Sequence, residues 1–428
     1  MTRLYLSILL LSATTFSFCQ KGDNVINQKE VQRIEATLAD NSMEGRRTGT
    51  PGIARAADFI ASEFKKTGLS EMHGVSGYKQ SFTMLKSTHA KVTGEVNSQP
   101  IDSKNVVVFT AQKQLDVNSQ SGYKTVTLKQ GDNLITEAQN IIGGRENVVV
   151  IADTSFTRAF AILPRLKRAL FKTETNVVFV LSIQPVSSFK LTSTQDVEEM
   201  QLANVVGMLP GKSKKNEYVV FSGHYDHLGI GKVVDGDSIY NGANDDASGI
   251  TAVIMLAKYY KTLHNNERTL IFAAFTAEEI GGFGSQYFSK QLNPAYVVAM
   301  FNIEMIGTES KWNKASAYIT GYEKTDMGSI LKKNLEGSKF KFYPDPYTDQ
   351  QLFYRSDNAT LARLGVPAHT ISTSKMDVEP NYHKASDEIG TLDMENMTEV
   401  IKAIAKSATS IVNGKDAPSR VKVEDLSR

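Results

Sequence analysis

The chain has 428 residues, 41% of them hydrophobic and 22% charged, with 30 Gly and 11 Pro; this ordinary globular composition excludes collagen-like, coiled-coil and disordered classes. Its 48 basic and 46 acidic residues leave a formal charge of +2, so no basic excess points to nucleic acid or to an anionic membrane surface. The length suits two or three domains, or one large domain carrying an insertion.

In chain order, residues 1–19 read as an export signal. Arg3 supplies the positive start, Leu4 to Leu11 the apolar stretch, and Ser17-Phe18-Cys19 small residues at the first and third positions before a cleavage at Gln20. The uncharged stretch is shorter than a spanning helix needs, so no stable membrane insertion is expected, and the destination is the periplasm or the exterior. Cys19 is the single cysteine. A lipid anchor on Cys19 is the rival reading, and bulky Phe18 before it disfavours that rival. If Cys19 leaves with the signal, the remaining chain has no thiol and no disulfide, and its stability rests on core packing or metal.

Residues 20–86 open the main domain with two helical patterns: Val31, Ile34 and Leu38, then Ala57, Ile60, Ala61 and Phe64, ended by Gly68. Between them lies the Gly-rich basic loop from Glu44 to Pro51. Residues 87–203 have a different grain. Short β-branched runs such as Asn105 to Thr110 and Asn147 to Ile151, a helix-like Phe160 to Phe171 and an apolar run Asn176 to Leu181 predict a smaller inserted accessory domain, α+β or β-rich.

Residues 204–413 alternate apolar runs with helical patterns, and 414–428 form a polar tail. The runs are Tyr218 to Ser222, Thr269 to Phe275, Val297 to Ile303, Ala315 to Thr320 and Val366 to Ile371; the helices include Ala247 to Leu263 and Met394 to Val412. This alternation predicts an α/β fold with a mostly parallel, mixed sheet and helices on both faces. Ligands of such sheets sit beyond the carboxyl ends of the strands. His224 and Asp226, Glu278 and Glu279, and Glu304 fall at those ends, with Asp245 before a helix and His383 in a loop after Ile371.

Taken alone, Asp245 and Asp246 read as helix N-caps, His224 as a satisfied strand-end histidine, and Glu278 and Glu279 as a solvated face. Together, two His and three or more carboxylates without a thiol make a ligand set suited to Zn²⁺, with a carboxylate able to bridge two ions. The pattern therefore favours a two-metal hydrolase. Extended geometry places Asp226 on the same side as His224, where it can orient that imidazole. It also sends Glu278 and Glu279 different ways, so that one can hold metal while the other reaches a water. Competing motifs fail: Gly207 to Ser213 has Val206 where a P-loop needs its first Gly, and neither H-E-x-x-H nor G-x-S-x-G occurs.

These residues resemble the M28 zinc aminopeptidases and their relatives, which include glutamate carboxypeptidase II and the glutaminyl cyclases. The matching segments are Gly223-His224-Tyr225-Asp226-His227-Leu228-Gly229, Asn241 to Gly249, Thr276-Ala277-Glu278-Glu279, Asn302 to Gly307, and Tyr382-His383. The Arg46 to Gly52 loop is similar to the family's N-terminal signature, and residues 87–203 are weakly similar to its protease-associated insertion. The resemblance implies the zinc exopeptidase fold and two Zn²⁺ per chain. It makes Asp245 the bridging ligand, His224 and Glu304 ligands of one ion, and Glu279 and His383 ligands of the other. Glu278 becomes the general base, Tyr382 a group that polarises the scissile carbonyl, and Asp387 a carboxylate behind the ligands.

By this resemblance the chain is expected to be an exported di-zinc aminopeptidase acting on peptides. Two departures stand out. Position 304 is Glu where Asp is commonest, and Asn358 replaces the His of the family's Ser-Asp-His segment. A single-zinc glutaminyl cyclase and a non-catalytic binding protein on the same fold are the alternative readings.

Overall fold

The computed structural model describes residues 24–183 and 185–426, so the export-signal reading lies outside the described residues. The chain divides into two compact units. Of the described residues, one takes in 24–81 and 202–426, and the other is Phe82–Gln201.

In the first unit the sheet order is β6-β5-β7-β4-β2-β3-β1, where β1 is the part of the strand Phe189–Leu209 from Leu202 onward, β2 Lys214–His224, β3 Arg268–Phe275, β4 Val297–Ile303, β5 Ser316–Ile319, β6 Lys341–Pro344 and β7 Ala368–Ser372. β2 pairs parallel with both β3 and β4, and β4 parallel with β7, whereas β1 and β5 join antiparallel. The sheet is thus parallel at its centre and mixed at its flanks. Its central strands are covered on both faces, which is why they read as unbroken apolar runs such as Thr269 to Phe275.

Helices Gln28–Leu38 (α1), Pro51–Thr67 (α2), Ser248–Leu263 (α3) and Met394–Ser407 (α4) build one of the covering layers. α3 lies at its centre, packed by α1, α2 and α4 and buried along most of its length. Phe221 of β2 stacks on Tyr260, Phe272 and Phe301 beneath this layer, with centroids 4.9–5.7 Å apart. The opposite face carries Phe288, Phe353, Leu361 and Val366. Pro51 opens α2, and Gly68 closes it at φ 74, a left-handed cap that a residue without Cβ adopts freely.

The second unit is built on a four-stranded sheet ordered Val106–Phe109, Val177–Leu181, Val148–Ala152 and Lys124–Leu128, with only the first strand antiparallel. Alternate residues feed two cores: Val107, Phe109, Val150 and Phe179 on one face, Val106, Val108, Val149 and Val178 on the other. The helix-like reading of Phe160 to Phe171 does not hold. That stretch is the end of a single turn (Thr157–Phe160), a 3₁₀ segment (Leu163–Arg168) and a two-residue strand (Leu170–Phe171). Pro164 has no amide proton to continue an α-helix. The unit's main helix is Leu134–Ile142, capped by Asn133.

The pattern read as one helix from Met394 to Val412 is interrupted at Ala408, between α4 and a final turn, Thr409–Val412. Among the described residues no helix is long and apolar enough to cross a membrane.

Candidate metal centre

Three adjacent parallel strands deliver the acidic and imidazole groups. β2 ends at His224, β3 ends two residues before Ala277-Glu278-Glu279, and β4 ends just before Glu304. Asp245 arrives on the turn Ala243–Ala247 that precedes α3, and His383 on a loop after β7. Left-handed residues Ala277 (φ 59), Met305 (φ 52) and His383 (φ 57) accompany these groups, a backbone state that clusters at functional sites.

The structure brings His224, Asp245 and Glu304 together, each offering a ligand atom within 4.8 Å of the others, and does the same for His227, Asp245 and Glu279. Asp245 belongs to both groups. His224 Nε2 is 3.2 Å from Asp245 Oδ1, and His383 Nε2 is 3.3 Å from both Asp245 Oδ2 and Glu279 Oε2. His224 Nε2 is buried with no hydrogen-bond partner. Such an atom, facing carboxylate oxygens, fits a cation-binding role.

Charge points the same way. Burial opposes the imidazolium of His224, but Asp245, Glu278 and Asp246 outweigh it and hold its pKa well above the usual value. Burial also disfavours the ionised form of Glu279, yet hydrogen bonds to His227 and His383 bring its carboxyl down to about 2. His383 is pushed up to about 10, Asp245 and Glu279 overcoming desolvation. Burial drives Glu278 well above the carboxylate range, with Glu304, Asp357 and Glu279 adding to the rise and His224 opposing it. This anionic cluster with three imidazoles is the environment a divalent ion neutralises.

Behind these groups, each ligand-bearing loop is tied down. Asp226 does not orient His224 through its carboxylate. His224 Nδ1 lies 3.1 Å from the Asp226 backbone oxygen and 3.9 Å from its Oδ1. The regular strand stops at His224, so the i, i+2 alternation does not extend to Asp226. The Asp226 carboxylate instead accepts the amides of Glu278 (3.0 Å) and Glu279 (3.3 Å). Asp387 accepts the amides of Asn244 and Asp245.

Four residues given no role at the sequence level complete this frame. Asp246 accepts the amides of His224, Gly249 and Met305, tying together three of the motif segments. Arg46 is fully buried and donates to four carbonyls: Tyr225, Leu38, Asn241 and Gly242. Asp357 is buried, and its carboxyl is pushed up to about 7, chiefly by desolvation. His227 is buried against Glu279. For the last, the visible signal was its place two residues after Tyr225 in an already conspicuous motif.

Tyr382 stacks on His383 with centroids 3.9 Å apart. It also lines a partly open pocket beside Glu304, together with Met305, Tyr318, Leu352, Arg355 and Met376. Asn358 is spent on structure. Its amide donates to the carbonyls of Phe353 and Ala368, and its oxygen accepts from Thr370.

Comparison with known proteins agrees with this arrangement. Residues 204–408, the segment that carries every candidate ligand, match the model of peptidase family M28. A probable zinc metalloprotease of Pyrenophora teres f. teres is 25% identical over 52% of this chain and 51% of its own length. Aminopeptidase YwaD of Bacillus subtilis is 23% identical over 51% and 47%. The chain thus spans about half the length of these curated relatives. The fold is that of the aminopeptidase from Aneurinibacillus sp. strain AM-1 (TM-score 0.54, 18% identity, 95% of this chain and 98% of that one). The zinc aminopeptidase of Bacillus subtilis shares it as well (TM-score 0.53, 16% identity, 94% and 98%).

Proposed function

We propose that this protein is an exported di-zinc aminopeptidase that removes N-terminal residues from peptides. The observation that carries the reading is the pair of ligand groups sharing Asp245, with Glu278 adjoining one of them. His224 and Glu304 would hold one zinc, Glu279 and His383 the other, and Asp245 both. Zinc in the names of the M28-type relatives supports the choice of metal. Export is supported by the Arg3 to Cys19 pattern, and residues 87–203, most of which lie in the unit Phe82–Gln201, are taken as a protease-associated-like insertion.

When bound, the two ions supply Lewis-acid polarisation of the scissile carbonyl and acidify a water. The chain's own residues do the rest. Glu278, desolvated and therefore a good proton holder, accepts the water's proton and returns it to the leaving amine. The Tyr382 hydroxyl donates to the developing oxyanion, an interaction worth roughly 3 kcal/mol when filled. The pocket beside Glu304 receives the side chain of the residue being removed.

The test is zinc stoichiometry alongside hydrolysis of a panel of free aminoacyl and N-blocked peptide substrates. Two zincs and activity confined to free N-termini are expected. One zinc with no peptide hydrolysis would point to a cyclase, and cleavage of N-blocked substrates from the C-terminus to a carboxypeptidase.

A further inference from the structure

The second ligand group contains one imidazole too many. His227 and His383 both lie beside Asp245 and Glu279, with ring centroids 5.8 Å apart. Their distances separate their roles. A tetrahedral zinc with N and O donors at ordinary bond lengths keeps any two donors about 3.4 Å apart. The His224 contact to Asp245, at 3.2 Å, and the His383 contacts to Asp245 and Glu279, at 3.3 Å, have this spacing. His227 Nδ1 does not. It lies 2.8 Å from Glu279 Oε1 and 3.8 Å from Asp245 Oδ2. The shorter value is that of a charge-assisted hydrogen bond, and sharing one ion at 2.8 Å would squeeze the donor–metal–donor angle to about 85°.

The two oxygens of Glu279 are therefore divided, Oε1 facing His227 and Oε2 facing His383. The His227 ring has little freedom to do otherwise. It is 1% exposed, and its backbone amide donates to Arg46 O at 3.2 Å. It also packs closely on Gly242, where a Cβ would come within 2.6 Å of its Cγ and Cδ2. Its Nε2 is buried without a partner, so the proton belongs on Nδ1, facing the carboxylate.

We infer that His227 is a positioning residue, not a ligand: its Nδ1–H holds Glu279 Oε1 so that Oε2 is presented to the metal position shared with Asp245 and His383. The inference rests on the di-metal reading above. It assigns one of the two metal positions a dependence on His227 that the other lacks, since the ring's polar partners are Glu279 and Asp245. Ligating carboxylates hydrogen-bonded in this way typically lose 10- to 100-fold in metal affinity when the partner is removed.

The test uses the full chain, stripped of metal and titrated with Zn²⁺ against a chromophoric chelator, with Co²⁺ absorption as a second readout. Wild type should give two stepwise binding constants. His227→Ala should weaken one of them 10- to 100-fold and leave the other within about twofold. His227→Asn, whose amide N–H can stand where Nδ1–H stands, should restore most of the loss, with wild-type Co²⁺ bands. It also carries the test if the Ala variant does not fold. Two unchanged constants in both variants overturn the inference and leave the di-metal reading intact. Equal loss in Asn and Ala, with altered Co²⁺ bands, overturns it by making His227 a ligand. A wild-type chain that takes up no metal overturns both readings at once.

Discussion

Asp387 holds Asp245 from behind. Its Oδ1 accepts the Asn244 amide at 2.8 Å and its Oδ2 accepts the Asp245 amide at 3.0 Å, so both oxygens are committed to the turn that presents the shared carboxylate. An uncharged amide at 387 places an N–H against one of those amides. Asp387→Asn is therefore expected to cost about 1–3 kcal/mol in stability and to weaken metal uptake at both positions. Chemical denaturation and zinc titration of the variant check both effects. Unchanged binding would mean that the turn is held by other contacts.

Glu278→Gln should keep two zincs per chain while kcat falls by about 10² to 10⁴, the scale of a lost general base. Metal content measured on the same preparation as turnover separates this from ligand loss. Near-normal turnover with both metals present would remove Glu278 from proton transfer.

Asp245→Ala should abolish uptake of both ions, because one carboxylate serves two positions and its loss leaves two cations facing each other in a poorly solvated site. Glu304→Asp should retain both zincs and measurable peptidase activity, since Glu304 serves one position and Asp is the residue commonest there in the family it resembles. Zinc analysis with activity on an aminoacyl substrate decides each case. Two zincs and full activity in Asp245→Ala would reduce Asp245 to a helix cap.

Stability should fall with rising pH through Glu35. This side chain is buried, with Oε2 accepting from Thr251 at 2.7 Å and Oε1 unpartnered, and burial lifts its carboxyl from 4.5 to about 8. The folded state thus holds the proton more tightly than the unfolded chain does. The stabilisation is complete below about pH 4 and is lost as the pH climbs towards 8. Urea unfolding at pH 5 and pH 8 should show a loss on the order of 3 kcal/mol in wild type and less than half of it in Glu35→Gln. Equal losses would assign the effect to another group.

The strand ends were legible because each falls where an apolar run gives way to a cluster of chemically active residues: His224 after Tyr218 to Ser222, Glu304 after Val297 to Ile303. The direction of a side chain beyond the last paired residue was not. Asp226 follows the strand by two positions, and extended alternation assigns it to His224; the turn sends its carboxylate to the amides of Glu278 and Glu279 instead. Arg46 was visible only as part of a basic, Gly-rich loop. Nothing local marks a guanidinium for burial, because its partners are backbone carbonyls of other segments. Phe160 to Phe171 misled for the opposite reason: its apolar spacing suggests a helix that a single Pro164 is enough to prevent.

The Arg46 clamp also sets a timetable. Its guanidinium waits for carbonyls 179, 195 and 196 residues further along the chain, at Tyr225, Asn241 and Gly242, and some 120 residues that fold into a separate unit, Phe82–Gln201, are made in between. Closures of such long sequence separation are slow relative to local ones. The accessory unit can therefore be finished while the earlier helices still lack their partners. The centre comes together only after both halves have been synthesised. A chain halted before Tyr225 carries an arginine with three of its four acceptors not yet made, and of the candidate ligands it holds His224 alone.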